Sequence, residues 1–427
     1  MGVFNIGLGG STCLYIIKIQ GAKIVNLFIT EKKEKSFYIC VPVIDTKMIK
    51  VILLIDCASE HDRRLLRGMT RYSKENGPWM FYRVSPDFRF EGNREEWVIQ
   101  WAKQWGADAI IGRWDERKLD LLQELNIPVV LQNNRSRSEV YSNITGDYDN
   151  IGRMAAQYFR KKLLVNYAFF GIKDIIWSEE RCKGFRDEVL SHNGRFCSFV
   201  EPVTGDDREK IMEWLKSLPK PVAMFCCDDA HALFVAETCK VLGIRIPEDI
   251  AVLGVDNDDL LCNISDPPIS SIEMDVENGG YMTCRRLHQQ IVQKKNVPFN
   301  IVIGSLGIKE RASTNTYNIS DPQVLKIVKY LDSSYNNDIQ IEDVLNLVPM
   351  SRRSVEMRFK KATGMTMYQY LLSVRVEHLA YLLSTADRPY ADLAYEAGFH
   401  DFGNVSRTFR KFKGCTPAEY RRRYCVI

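Results

Sequence analysis

The chain has 427 residues, 45% hydrophobic and 26% charged, with 58 Lys/Arg against 54 Asp/Glu and a formal net charge of +4. That balance excludes an intrinsically disordered or collagen-like chain. At roughly 100–200 residues per domain it leaves room for two to four domains with their own cores. No apolar run approaches the roughly 18–20 residues that a membrane-spanning helix needs.

Residues 1–47 show no basic segment ahead of an apolar stretch, so a signal peptide is not expected. Gly9-Gly10 and Glu31-Lys-Lys-Glu-Lys35 interrupt weakly β-prone runs. The expectation for 1–47 is an N-terminal extension, disordered or preceding a true start at Met48, with a strand pair as the rival reading.

From Lys50 a regular alternation begins. Strands are predicted at 50–56, 79–85, 107–114, 128–133, 167–171, 196–203, 222–228 and 250–256. Helices are predicted between them at 61–74, 94–105, 118–125, 150–163, 178–191, 208–218, 230–242 and 276–293. Apolar strands alternating with amphipathic helices imply parallel sheets buried on both faces. Eight such units exceed one comfortable sheet, so an α/β core of two lobes is expected, dividing near 147–150. Twelve cysteines include no CxxC pair, and Cys226-Cys227 sits in an apolar run. They read as small core hydrophobes of a reducing, cytoplasmic compartment. No metal and no cofactor are expected.

Open α/β sheets bind ligands beyond the carboxyl ends of their strands. Those positions carry Asp56-Cys-Ala-Ser-Glu-His-Asp62-Arg63, Trp177-Ser-Glu-Glu-Arg181, Asp228-Asp229 and Asp256-Asn-Asp-Asp259. Carboxylates accept from sugar hydroxyls, guanidinium groups donate in a fixed fork, and an aromatic face covers the apolar side of a sugar ring. For Asp62 and Asp228 a helix N-cap is an equal alternative. Ile246-Pro-Glu-Asp-Ile-Ala-Val-Leu-Gly-Val-Asp-Asn257 and Arg181-Cys-Lys-Gly-Phe185 resemble LacI/GalR-type regulators and periplasmic sugar-binding proteins. This resemblance covers about 48–312 and implies a two-lobed effector domain. The helix-turn-helix that LacI-type regulators carry at the N-terminus is missing, so a DNA-binding part belongs elsewhere.

Residues 313–320 are polar and read as a linker. Asp321-Pro322 starts a helix well, as N-cap and first helical residue. From Ile319 onward there are 16 Lys/Arg against 12 Asp/Glu, which holds the whole positive excess. Two units there look alike. One runs from Ile341-Glu-Asp-Val-Leu through a break at Pro349 to a helix that ends at Gly364; the other runs from Tyr390-Ala-Asp-Leu-Ala to a helix that ends at Gly414. Each is a short helix, a tight break and a basic second helix with a glycine stop, the helix-turn-helix layout. Val355, Phe359, Phe409 and Phe412 supply the inward faces. Ser351, Arg352, Arg353, Ser354, Arg358, Asn404, Arg407, Arg410 and Lys411 are the candidate DNA contacts, because guanidinium forks suit guanine edges and Ser or Asn reaches bases or phosphates.

The stretch Ala397-Gly-Phe-His-Asp-Phe-Gly-Asn-Val-Ser-Arg-Thr-Phe-Arg-Lys-Phe-Lys-Gly-Cys-Thr-Pro-Ala-Glu-Tyr-Arg421 resembles the signature of AraC/XylS-type regulators. Val405 departs from it where that family more often has Phe. The resemblance covers about 320–424. It implies an all-α C-terminal domain (321–427) with two helix-turn-helix units, and a connecting helix at 368–383 that sets the two about one DNA turn apart.

A LacI-type core ahead of an AraC-type domain resembles regulators of pentose utilisation. The order implies a DNA-binding transcription regulator with a monosaccharide effector, D-xylose foremost, acting as a homodimer, with RNA polymerase a further candidate partner and no membrane. It also implies sugar contacts at Asp62, Arg63, Trp177, Arg181, Asp228, Asp229 and Asp256. A non-catalytic sugar-binding protein and a carbohydrate-active enzyme stay open as rivals. For the enzyme, no GxGxxG, GxSxG, HExxH or phosphate-binding glycine loop is present.

Overall fold

All eight strands predicted between residues 50 and 256 are present in the structure, a computed structural model that describes residues 2–8, 12–18, 48–84, 93–202, 208–386 and 388–424. The first two strands, β1 (Gly2–Leu8) and β2 (Thr12–Lys18), form an antiparallel pair with Gly2 opposite Lys18. For these residues the strand pair replaces the expected unstructured extension, since two β-prone runs flank a glycine pair. Residues 19–47 lie outside the described residues.

The first lobe contains β3 (Ile49–Leu54), β4 (Trp79–Arg83), β5 (Ala109–Gly112), β6 (Val129–Leu131) and β7 (Ser142–Gly146). The second contains β8 (Asn166–Ile172), β9 (Arg195–Glu201), β10 (Val222–Cys226), β11 (Ile250–Val255) and β12 (Ser270–Met274). Two last strands, β13 (Asn300–Ile303) and β14 (Ser305–Lys309), add an edge to each. One six-stranded sheet has the order β13-β7-β6-β5-β3-β4 and is parallel throughout; the other runs β14-β12-β11-β10-β8-β9, with β14 antiparallel. The chain therefore passes between lobes three times, after β7, β12 and β13. The first passage is the division expected near 147–150.

Strands β7 and β12 to β14 escape the sequence reading because they are polar or short. Ser142-Asn-Ile-Thr-Gly146 is buried along its whole length. Its Asn143 amide donates to Ser138 O and Asn300 Oδ1, both at 2.8 Å, which satisfies a polar side chain inside the sheet.

Each lobe is locked by a helix pair whose backbones touch at glycines. Helix Glu60–Asn76 meets helix Val276–Gln293, where a Cβ on Gly68 would lie 1.7 Å from Glu277 O and one on Gly280 2.0 Å from Leu65 O. Helix Tyr148–Lys161 meets helix Ile176–Ser191 in the same way, through Gly152 against Arg181 O (2.1 Å) and Gly184 against Asp149 O (1.9 Å).

The expected linker begins later than 313. Ser313 and Thr314 are buried in the second lobe, where the Ser313 hydroxyl donates to Val252 O at 2.6 Å and Thr314 Oγ1 lies 2.7 Å from Tyr158 Oη. These hydroxyls satisfy backbone and side-chain groups of the lobe, so a polar run here is structure and not tether.

The C-terminal domain is all helix, with two cores. Val324, Ile327, Val328, Leu331, Val344, Val355 and Phe359 fill the first; Leu379, Leu383, Leu393, Ala397, Val405 and Phe409 fill the second. Helix Met367–Thr385 lends its first half to one core and its second half to the other. No helix among the described residues is long and apolar enough to cross a membrane.

A candidate effector crevice and a candidate nucleic-acid interface

The carboxyl ends of the strands from both lobes converge on one crevice. From the first lobe come His61 and Asp62 on the helix after β3, Arg113 directly after β5 and Gln132 directly after β6. Asp62 is 1% exposed; Arg113 Nη2 lies 3.1 Å from its Oδ2, and Gln132 Nε2 donates to its Oδ1 at 3.4 Å. Burial lifts the Asp62 carboxyl above its usual range, against the pull of Arg113. The N-cap of that helix is Ser59 and not Asp62.

The second lobe supplies Tyr148, Trp177, Arg181 and Asp256. Arg181 is 3% exposed, with its guanidinium 5.3 Å from the Tyr148 ring and 5.4 Å from the Trp177 ring. It donates to Cys227 O and lies 3.8 Å from Asp256 Oδ1. His61 Nδ1 reaches the same oxygen across the crevice at 3.7 Å. Burial would raise the Asp256 carboxyl, but His61 and Arg181 outweigh it and hold it below its ordinary value. Asp256 also sits at φ 98°, a conformation rare outside glycine and recurrent at ligand sites.

Four buried polar atoms around this crevice have no hydrogen-bond partner: Arg113 Nε, Gln132 Oε1, Arg181 Nε and Asp256 Oδ1. Two donors and two acceptors beside two aromatic rings match the hydroxyls and apolar face of a sugar.

Three of the residues expected to touch sugar are otherwise engaged. Asp228 caps helix Asp229–Leu242, accepting from His231 N (2.8 Å) and lying 2.7 Å from His231 Nδ1. Asp229 is 2% exposed and its oxygens accept from Ser271 Oγ (2.6 Å) and Asp258 N (2.7 Å). Burial pushes its carboxyl well above the usual range. Arg63 binds Glu60 at 2.9 Å and reaches toward Asp258 of the other lobe at 3.7 Å, so it bridges the rim. Sequence reasoning missed Arg113, Gln132 and Tyr148. A polar residue straight after an apolar strand was the available signal for the first two.

Both flanks of the crevice are bridged between lobes. Arg64 donates to Glu273 (3.1 Å) and Asn257 O (3.0 Å), while Arg137 grips Glu180 through two bonds of 2.6 and 2.7 Å. Among the described residues, Cys227, Asp228 and His231 gather three ligand-type atoms within 4.8 Å of one another, the one group there able to hold a metal ion.

The second candidate surface lies on helices Arg352–Thr363 and Val405–Lys413, the second helices of the two units. Each ends at a left-handed glycine, Gly364 and Gly414, both at φ 73°. Arg353, Arg407, Arg410 and Lys411 are exposed and make no ion pair among the described residues. Ser351 caps its helix, accepting from Ser354 N. Arg352 is held by Glu356 (2.9 Å) and Glu342 (3.3 Å), and Arg358 by Asp321 (3.2 Å). Asn404 is exposed at the start of the other helix, and Val405 beside it is 1% exposed, filling the second core where a larger ring was expected.

Residues 156–314 match the periplasmic binding protein-like domain family, and residues 345–423 match the helix-turn-helix domain family. The xylose operon regulatory protein of Escherichia coli (strain K12) is 24% identical over 392 residues, which cover 88% of this chain and 97% of that protein. The chain is similar to the xylose operon regulatory proteins along most of its length. The protein of that name from Haemophilus influenzae is 25% identical over 386 residues, 87% of this chain and 98% of the relative. A solved structure of a xylose-binding transcription activator shares the fold with a TM-score of 0.55 at 22% identity, over 89% of this chain and 99% of that one. A transcriptional regulator solved with cellobiose matches 62% of this chain and 84% of its own at 20% identity and a TM-score of 0.52.

Proposed function

We propose that this chain is a sugar-responsive, DNA-binding transcription regulator whose effector is D-xylose. The carrying observation is that one chain combines a crevice with four unpartnered polar atoms and two aromatic rings, and two helix-turn-helix units with unpaired basic side chains. The names of its relatives support a pentose over other sugars. Asp256, Arg181, Arg113 and Gln132 bind the hydroxyls, Asp62 orients Arg113 and Gln132, and Trp177 or Tyr148 covers the ring. Sugar binding favours the bridged, closed lobes, and the closed state presents the paired units differently to DNA half-sites. The sugar acts only through its preference between the two states, so a ten-fold preference supplies about 1.4 kcal/mol. The chain acts in the cytoplasm as a homodimer, and RNA polymerase is a further partner when it activates.

Calorimetric titration of D-xylose against a panel of other pentoses and hexoses tests the effector. Asp256→Ala is expected to weaken D-xylose binding at least about ten-fold while leaving DNA affinity unchanged. Equal heats from wild type and this variant would refute the crevice assignment.

A further inference from the structure

The helix Tyr148–Lys161 begins in the crevice and ends on the DNA-binding domain. Its first residue, Tyr148, stands against Arg181 and follows directly on the passage from β7 of the first lobe. Its 14 residues span about 21 Å at the usual rise per residue. At the far end, three consecutive residues touch the C-terminal domain. Lys161 Nζ lies 3.0 Å from Glu377 on helix Met367–Thr385, and Glu377 also accepts from Lys413 of the second recognition helix at 2.6 Å. Lys162 O accepts from Asn318 N at 2.9 Å, and its ammonium lies 4.7 Å from the Tyr317 ring centre. Tyr317 in turn donates to Asp332 on helix Pro322–Ser334, which packs in the core of the first unit. Leu163 packs on the core of that first unit.

The helix end and the two residues after it thus reach the core of the first unit and, on the connecting helix, the carboxylate that holds Lys413 of the second, while the other end lines the crevice. Glycine contacts with helix Ile176–Ser191 keep the rod fixed to the lobe that carries Arg181. We infer that this helix is the coupling strut of the protein, and that Lys161, Glu377 and Lys413 form the joint through which crevice closure sets the position of the second recognition helix. Glu377 is a positioning residue: it touches neither sugar nor DNA but ties a recognition helix to the strut. This rests on the sugar-controlled DNA binding proposed above.

The test measures DNA affinity of the full chain with and without saturating D-xylose, on duplexes that the wild-type chain selects from a random-sequence pool in both states. Lys161→Gln leaves the Glu377–Lys413 pair whole and is the decisive variant. It is expected to bind D-xylose within about two-fold of wild type, yet to lose the sugar-dependent change in DNA affinity, an expected ten-fold ratio falling below about two-fold. Lys161→Arg keeps the charge and is expected to retain the ratio. A Lys161→Gln chain that keeps the full ratio would overturn the strut while leaving sugar control intact. So would one whose response disappears because D-xylose no longer binds. A wild-type chain whose DNA affinity ignores D-xylose would instead overturn the regulatory reading itself, and the strut with it.

Discussion

Asp229 and Asp256 both follow buried strands of the second lobe, and they look alike in the sequence. Inside the fold they differ: Asp229 spends both oxygens on Ser271 and the Asp258 amide, whereas Asp256 Oδ1 has no hydrogen-bond partner and faces the crevice. Asp229→Ala is therefore expected to lower stability by about 2–3 kcal/mol, read as a drop in the denaturant midpoint, because a buried network loses its acceptor. Asp256→Ala breaks no hydrogen-bond network of that kind and loses only the longer contacts to Arg181 (3.8 Å) and His61 (3.7 Å), so its melting temperature should fall less than that of Asp229→Ala. Among the basic side chains, Arg353 and Arg407 are exposed without an ion pair. Replacing either by Ala should weaken DNA binding by about 1–3 kcal/mol, with D-xylose heats unchanged, in a filter or anisotropy titration. Arg181, Asp62 and Asp256 were legible because they stand just beyond strand ends in charged clusters. Arg113 and Gln132 were hidden because the predicted strands ran to 114 and 133 and enclosed them, whereas the strands end at Gly112 and Leu131, and Tyr148 because it reads as part of a turn.

The helices make their own predictions. Thr366 and Gln369 form a reciprocal capping box at the start of the connecting helix, with bonds of 3.1 and 3.2 Å. Thr366→Ala should cost about 1 kcal/mol in urea unfolding. Gly152 offers no such tolerance, since a Cβ there would sit 2.1 Å from Arg181 O. Gly152→Val should destabilise by about 3 kcal/mol and also displace Arg181, so sugar affinity and stability should fall together. The apolar strands and amphipathic helices of the two lobes were readable from their periods, because burial of whole strands leaves an uninterrupted apolar run. Strands β7 and β12 were not, because Ser, Asn, Thr and Glu are tolerated there only through partners far away in the sequence. The two DNA-binding units were readable because a local pattern of breaks, glycine stops and charge defines them.

Across the whole molecule, the joint between domains is ionic, and its response to acid follows from Glu377. Burial opposes its charge, but Lys161 and Lys413 prevail and lower its carboxyl from 4.5 to about 2 in the folded chain. A carboxyl lowered by folding stabilises the native state above its unfolded pKa, and that contribution fades as pH falls from about 4.5 toward about 2. The melting temperature of wild type should therefore fall more steeply across this window than that of Glu377→Gln, as followed by circular dichroism. Nothing in the residue pattern near Lys161 or Glu377 announced this contact, because it joins two domains that the sequence presents as separate.

The three passages of the chain between lobes have a consequence for fragments. Neither lobe is one continuous stretch: the first is completed by β13 and helix Val276–Gln293, which lie after the second has been built. A polypeptide cut after Gly146 would lack an edge strand and the glycine-matched partner of helix Glu60–Asn76. It should emerge from a ribosome unfinished and wait for some 150 further residues before it can settle. The helical tail, by contrast, is contiguous and has its own interior, so a fragment of 315–424 should fold unaided and give dispersed nuclear magnetic resonance signals.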